Sequence, residues 1–153
     1  MSELQLKNQL LLDLKNTMKN KYIVAKNTIQ SLRAAILQYE IDNKQELTND
    51  KIIDIISKEK KKRLDALEQF NKSDRQDLIQ QTQKELNVIS KYLPQPATQE
   101  EIEQVVINTI NELNVTQKDF GKVMKEVTAK LKNRTDGKTI SGIVKQKLNQ
   151  EEQ

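Results

Sequence analysis

Cysteine, histidine and tryptophan are absent from this chain of 153 residues, and its three glycines and two prolines all lie beyond residue 93. With no thiol and no imidazole, thiolate catalysis, Cys/His zinc sites, Ser–His triads and imidazole acid–base chemistry are excluded together. Aromatic residues make up only 3% of the chain, so the β-branched and aromatic alternation that strands favour is missing. No run of about 18 apolar residues suggests a membrane span. The segment Met1–Lys7 mixes charges of both signs and lacks the apolar stretch of a signal peptide. These absences lead to the expectation of a soluble, cytoplasmic protein with no membrane partner, no metal and no cofactor.

What is present is enough Leu, Ile and Val for a helical core, within a composition 35% apolar and 31% charged. The expected fold is all-α. The first ninety-odd residues contain nothing that breaks a helix strongly. Tyr92-Leu93-Pro94-Gln95-Pro96 then stops one helix, and Thr98 with Glu101 forms a capping box for the next. This predicts an N-terminal four-helix domain over 1–93, a Pro-containing hinge and a small three-helix domain over 97–150.

Within the first domain, Leu10, Leu11, Leu14 and Met18 mark one helix, ending near Lys21. Ala25, Ile29, Leu32, Ile36 and Tyr39 step by fours and threes along a second. Thr48 is placed to cap a third helix, and Ser73 with Gln76 gives the pattern of a capping box for a fourth. In the second domain, Ile102 to Leu113 gives a fifth helix. Thr116 opens a sixth, carrying Phe120, Val123, Met124, Val127 and Leu131, and Asp136-Gly137 turns into a seventh.

Charge is distributed unevenly over these segments. Residues 94–117 carry four acids and no base, whereas residues 118–147 carry nine bases against three acids. At 100° per residue, Lys118, Lys122, Lys125 and Lys132 fall within about 80° of one another, opposite the apolar stripe of the sixth helix. They form either a solvated outer face or a row of point charges that tracks phosphates without reading sequence. Arg134 and Lys138 flank the turn into the last helix, whose free N–H groups favour an anion. Alternatively, Asp136 caps that helix and Gly137 supplies a backbone angle. The triplet Gly137-Lys138-Thr139 is not a nucleotide-binding loop, because Lys132 stands where such a loop needs its first glycine.

In the run Lys58–Arg63, Glu59 and Arg63 point the same way as Ile56, Leu67 and Phe70. They either pair at the edge of the core or mark a polar gap where a protein partner docks. Carboxylates at Glu100, Glu101 and Glu103 sit at a helix start, where the dipole favours them, and nothing recommends them as catalysts. No catalytic residues are assigned.

Several segments taken in order resemble the GatB/YqeY family: Ala34-Ala35-Ile36 with Glu40-Ile41, Glu46-Leu47-Thr48, and Lys61 with Arg63, Asp65 and Phe70. The resemblance continues through Arg75 with Asp77-Leu78, Tyr92-Leu93-Pro94, Gly121-Lys122-Val123-Met124, and Arg134 with Asp136-Gly137-Lys138. It departs at Gln30, where the family has a basic residue, at Lys62, where Gln is common, and at Asn133, which replaces a glycine. This last departure suggests that the exact shape of the turn is not essential. The resemblance implies a helical domain joined to a three-helix tail similar to the module that contacts tRNA in the B subunit of glutamine-dependent tRNA amidotransferase. A label of carbon–nitrogen ligase with glutamine as amide donor would be inherited from that larger enzyme. The expected function is a non-catalytic tRNA- or RNA-associated adaptor using Lys118, Lys122, Lys125, Lys132, Arg134 and Lys138. The alternatives are a protein-interaction module and an accessory factor of amide transfer.

Overall fold

The computed structural model describes residues 5–151. Met1–Leu4 lie outside this range, and with them most of the segment read above for a signal peptide. The described residues form seven α-helices and no strand: α1 Gln5–Lys19, α2 Ile23–Asn43, α3 Asn49–Ser73, α4 Gln76–Ser90, α5 Gln99–Leu113, α6 Phe120–Lys130 and α7 Gly137–Glu151. A 3₁₀ turn, Gln117–Asp119, precedes α6. No described helix is long and apolar enough to cross a membrane. The chain divides into two compact units, Met1–Leu93 and Pro94–Gln153.

In the first unit α2 touches α1, α3 and α4. Its Ile29, Leu32 and Ile36 are buried with Leu10 and Leu14 of α1, Ile52, Ile55 and Ile56 of α3, and Ile89 of α4. Burying each such side chain contributes about 1.5–3 kcal/mol. Thr48 caps α3, its hydroxyl accepting from Lys51 N–H at 3.3 Å. The predicted Ser73–Gln76 box does not form. Ser73 is the last residue of α3 and donates to Phe70 O at 3.1 Å, while Arg75 precedes α4 without a side-chain cap.

Polar ties hold this unit across long sequence separations. Lys7 Nζ reaches Glu40 at 2.9 Å, and the same carboxylate accepts from Leu47 N–H at 3.2 Å, fastening the α2–α3 loop. Tyr92 donates its hydroxyl to Asp13 at 2.5 Å. Burial foremost, then this bond and the Asp13 charge, push the Tyr92 phenol well above the ordinary tyrosine range. With no glycine available, Lys21, Lys44 and Asp74 adopt positive φ after α1, α2 and α3. Non-glycine residues in that conformation are uncommon and costly.

In the second unit α5, α6 and α7 all pack on one another. Its core is Ile102, Val106 and Ile110 with Val123, Val127, Leu131, Ile140, Ile143, Val144 and Leu148. The Thr98–Glu101 capping box opens α5 as predicted.

Candidate nucleic-acid interface

The lysines of the second unit separate by what they face. Lys130 ends α6 on the side of α5, donating to Thr109 Oγ1 and to Glu112 at 3.0 Å each. Lys122 and Lys125, on another side of α6, are exposed, and neither has an ion-pair partner among the described residues. Lys118 is likewise exposed and without such a partner, in the 3₁₀ turn before α6. Thr116 N–H donates to Asp119 at 3.2 Å, and Asp119 N–H to Thr116 O at 2.9 Å, which fixes that turn. The single long helix expected here is therefore shorter: Lys118 precedes it and Lys132 follows it. Lys132 is exposed but already engaged within the protein.

In the turn from α6 to α7 Asp136 caps the last helix, one of the two readings given above, but Gly137 does not supply the backbone angle. Asn133, not Gly137, takes the left-handed conformation, with φ 65°, and no glycine in the chain has positive φ. Asn tolerates that region better than most residues, so it keeps the glycine-type turn rather than relaxing it. The inference that the turn's shape is not essential is thereby corrected. Asp136 Oδ1 accepts from Thr139 N–H at 2.6 Å and so caps α7. That bond, foremost, holds the Asp136 carboxyl below the usual range, with the nearby Lys138 charge adding to the effect.

Arg134 was expected to close over an anion, but its donors are committed to the fold. Nε donates to Gln95 O at 3.0 Å, one Nη meets Glu101 at 2.7 Å, and Arg134 O accepts from Ala97 N–H at 2.7 Å. The guanidinium bond holds Glu101 below its ordinary pKa, with the Thr98 N–H adding to it. Arg134 thus pins residues 95–101 to the α6–α7 turn. Lys138 is exposed beside Asp136, which offsets part of its charge.

Sequence reading missed two features at the α6 end. Lys145 of α7 stands 5.8 Å from the centroid of the Phe120 ring, which opens α6, and so adds a cation there. Contact between different helices brings it in, and no helical-wheel projection of α6 could have shown it. Gly121 is exposed, with a negative φ, and a Cβ built there would meet nothing within 4 Å. The fold does not require a glycine at this position.

In the first unit, Arg63 Nη1 meets Glu59 at 3.1 Å and the second Nη donates to Ser31 Oγ at 3.3 Å. Nε lies 3.3 Å from Glu85, but its N–H is not aligned for a hydrogen bond, so that contact is Coulombic. The side chains of Glu59 and Arg63 are only 13% and 15% exposed, and they lock α2, α3 and α4 together. Their charges are satisfied internally, which leaves little for a docking partner.

The profile of the Yqey-like protein family matches residues 7–148. Among curated proteins the chain is similar to three fungal proteins, each named altered inheritance of mitochondria protein 41, mitochondrial. That of Pyrenophora tritici-repentis is 30% identical over 124 residues, which are 80% of this chain and 68% of that protein. That of Lachancea thermotolerans is 36% identical over 104 residues, 66% of this chain and 56% of that protein. That of Kluyveromyces lactis is 29% identical over 137 residues, 87% of this chain and 70% of that protein. These relatives overturn the expectation of a cytoplasmic protein, because their names place them in mitochondria. From the first turn of α1 to the last turns of α7, this chain is a member of the Yqey-like protein family.

Proposed function

We propose that the second unit is a polyanion-binding module and that the protein is a non-catalytic adaptor associated with tRNA or another RNA. The observation that carries this reading is that Lys118, Lys122 and Lys125 are exposed and without ion-pair partners among the described residues, with Lys145 over the Phe120 ring that opens α6. Each ammonium group can neutralise a phosphate and release a counterion, giving affinity without sequence selectivity. Gly121 supports the same reading, since a glycine that the fold does not need leaves room for a ligand backbone to approach closely. The resemblance to the tRNA-contacting tail of the amidotransferase B subunit points the same way.

Three or four phosphate contacts predict that affinity falls on the order of a hundredfold between about 50 and 200 mM salt. The test is filter retention of bulk tRNA at both salt concentrations, with wild-type protein and with Lys122→Glu/Lys125→Glu. Both positions are exposed, so the variant keeps its helical circular dichroism. Loss of retention in the variant is expected; equal retention by the two proteins removes the proposal.

A further inference from the structure

The first unit carries a surface of a different kind. Between α1 and α2 runs an open groove of about 490 Å³. Its floor is Leu10, Leu14 and Ile36, and its walls rise to Leu11 and Leu37, which are 38% and 57% exposed. One turn beyond Leu37, Ile41 is 61% exposed and continues the apolar strip. Ala34 stands on the same arc of α2, so the apolar strip runs for about two turns, with the polar Gln30 at its end. Large apolar side chains left in water along a concave seam mark an interaction site more than a solvated face.

The charges beside the groove select its occupant. Arg33 lines it and is exposed, and Lys15 stands one turn along α1 from Leu11; neither has an ion-pair partner among the described residues. The one acid in the lining, Glu40, is taken up by Lys7 and by the Leu47 N–H. What the groove offers is apolar contact flanked by available positive charge. We infer that the α1–α2 groove binds an amphipathic helix of a protein partner, whose apolar seam lies on Leu11, Ala34 and Leu37 and whose flanking carboxylates meet Arg33 and Lys15.

A second copy of this chain is the poorer occupant. Residues 5–43 carry six basic side chains against three acidic ones, so self-pairing would oppose like charges. A bilayer surface would meet the cations but leave the concavity unfilled, whereas a helix laid in a groove fills it. The inference is independent of the RNA reading, which concerns other residues in the other unit.

The experiment uses the full chain and dye-labelled peptides of about 18 residues with a leucine seam at helical spacing. Their flanking positions are Glu, Gln or Lys, and binding is read by fluorescence anisotropy. The Glu-flanked peptide is expected to bind, and Leu37→Glu to weaken it at least about tenfold. Arg33→Glu should shift preference toward the Lys-flanked peptide. Both side chains are exposed, so these variants should melt like wild type, and Lys122→Glu/Lys125→Glu should bind the peptide unchanged. The inference is overturned by any of four results: no binding of the Glu-flanked peptide, equal binding of all three peptides, full binding by Leu37→Glu, or displacement of the peptide by phosphatidylglycerol vesicles. A concentration-dependent dimer that Leu37→Glu dissolves would also overturn it, in favour of a second copy.

Discussion

All eight large apolar side chains that stand exposed among the described residues belong to the first unit, from Leu11 to Leu64, while the second unit exposes none. The second unit keeps its large apolar side chains buried or half-buried, and what it presents to water is polar, exposed lysines included. The two units differ in their interiors as well. The first fastens its helices with a mostly buried Arg63 between Glu59 and Glu85. The second has an apolar core and keeps its tie, Arg134 to Glu101, at the surface, with side chains 32% and 45% exposed. Both units thus have apolar cores, but only the first adds a mostly buried ion-pair cluster and leaves large apolar side chains in water.

The largest expected effect tests the interiors. Arg63→Ala leaves the mostly buried Glu59 with the exposed Lys62 and Glu85 with the Gln81 amide as partners, and should cost the first unit about 3 kcal/mol. Arg134→Ala removes a half-exposed pair and one bond to a carbonyl, and should cost about 1 kcal/mol. Urea unfolding of both variants, followed by circular dichroism, makes the comparison. If the two losses match, the contrast in interiors is wrong.

Next in size is the separation of surfaces. Lys122→Glu/Lys125→Glu should lose tRNA and keep the Glu-flanked peptide, and Leu37→Glu should do the opposite, each by about tenfold or more. A variant that loses both ligands would show one shared surface, and the division drawn here would collapse.

The helices were legible because Ile29, Leu32 and Ile36, or Ile102, Val106 and Ile110, repeat at helical spacing and the core follows from that. The Thr98–Glu101 box was legible because a cap is local. The Ser73 box was misread because α3 ran on through Ser73 and reversed through a left-handed Asp74, a residue equally at home as a helix cap. The internal contacts of Arg134 were not legible, for another reason. Its partners, Gln95 and Glu101, lie more than thirty positions away, and no pattern links them before the fold exists. Nothing in the sequence marks Leu37 and Ile41 as exposed, and only the burial of the opposite face of α2 shows that they are left outside.

Tyr92→Phe should have a smaller effect. It removes the bond to Asp13 and leaves that half-buried carboxylate short of a donor, at a cost of about 1 kcal/mol near neutral pH. The phenol's pKa is raised in the folded state, so its contribution is fully present below the unfolded value of about 10 and is lost as pH rises above it. The wild-type chain should therefore lose stability between about pH 10 and 12, and Tyr92→Phe should lose less. Parallel curves would mean that Tyr92 ionises as freely in the folded chain as in the unfolded one.

The smallest effect bears on why the glycines are where they are. The first unit needs left-handed residues at Lys21, Lys44 and Asp74 and has no glycine to supply them, whereas none of the second unit's three glycines adopts that conformation. Gly121 lies in the first turn of α6 beside Lys122, in a helix that alanine would stabilise, and a Cβ there touches nothing. Gly121→Ala should raise the stability of the second unit by about 0.5–1 kcal/mol. If RNA seats against this turn, Gly121→Leu should fold equally well yet retain less tRNA, because its side chain occupies the space a phosphate would enter. A Gly121→Leu protein that retains tRNA as wild type does would show that the backbone of α6 is not approached. The lysines would then bind their polyanion at the ends of their side chains alone.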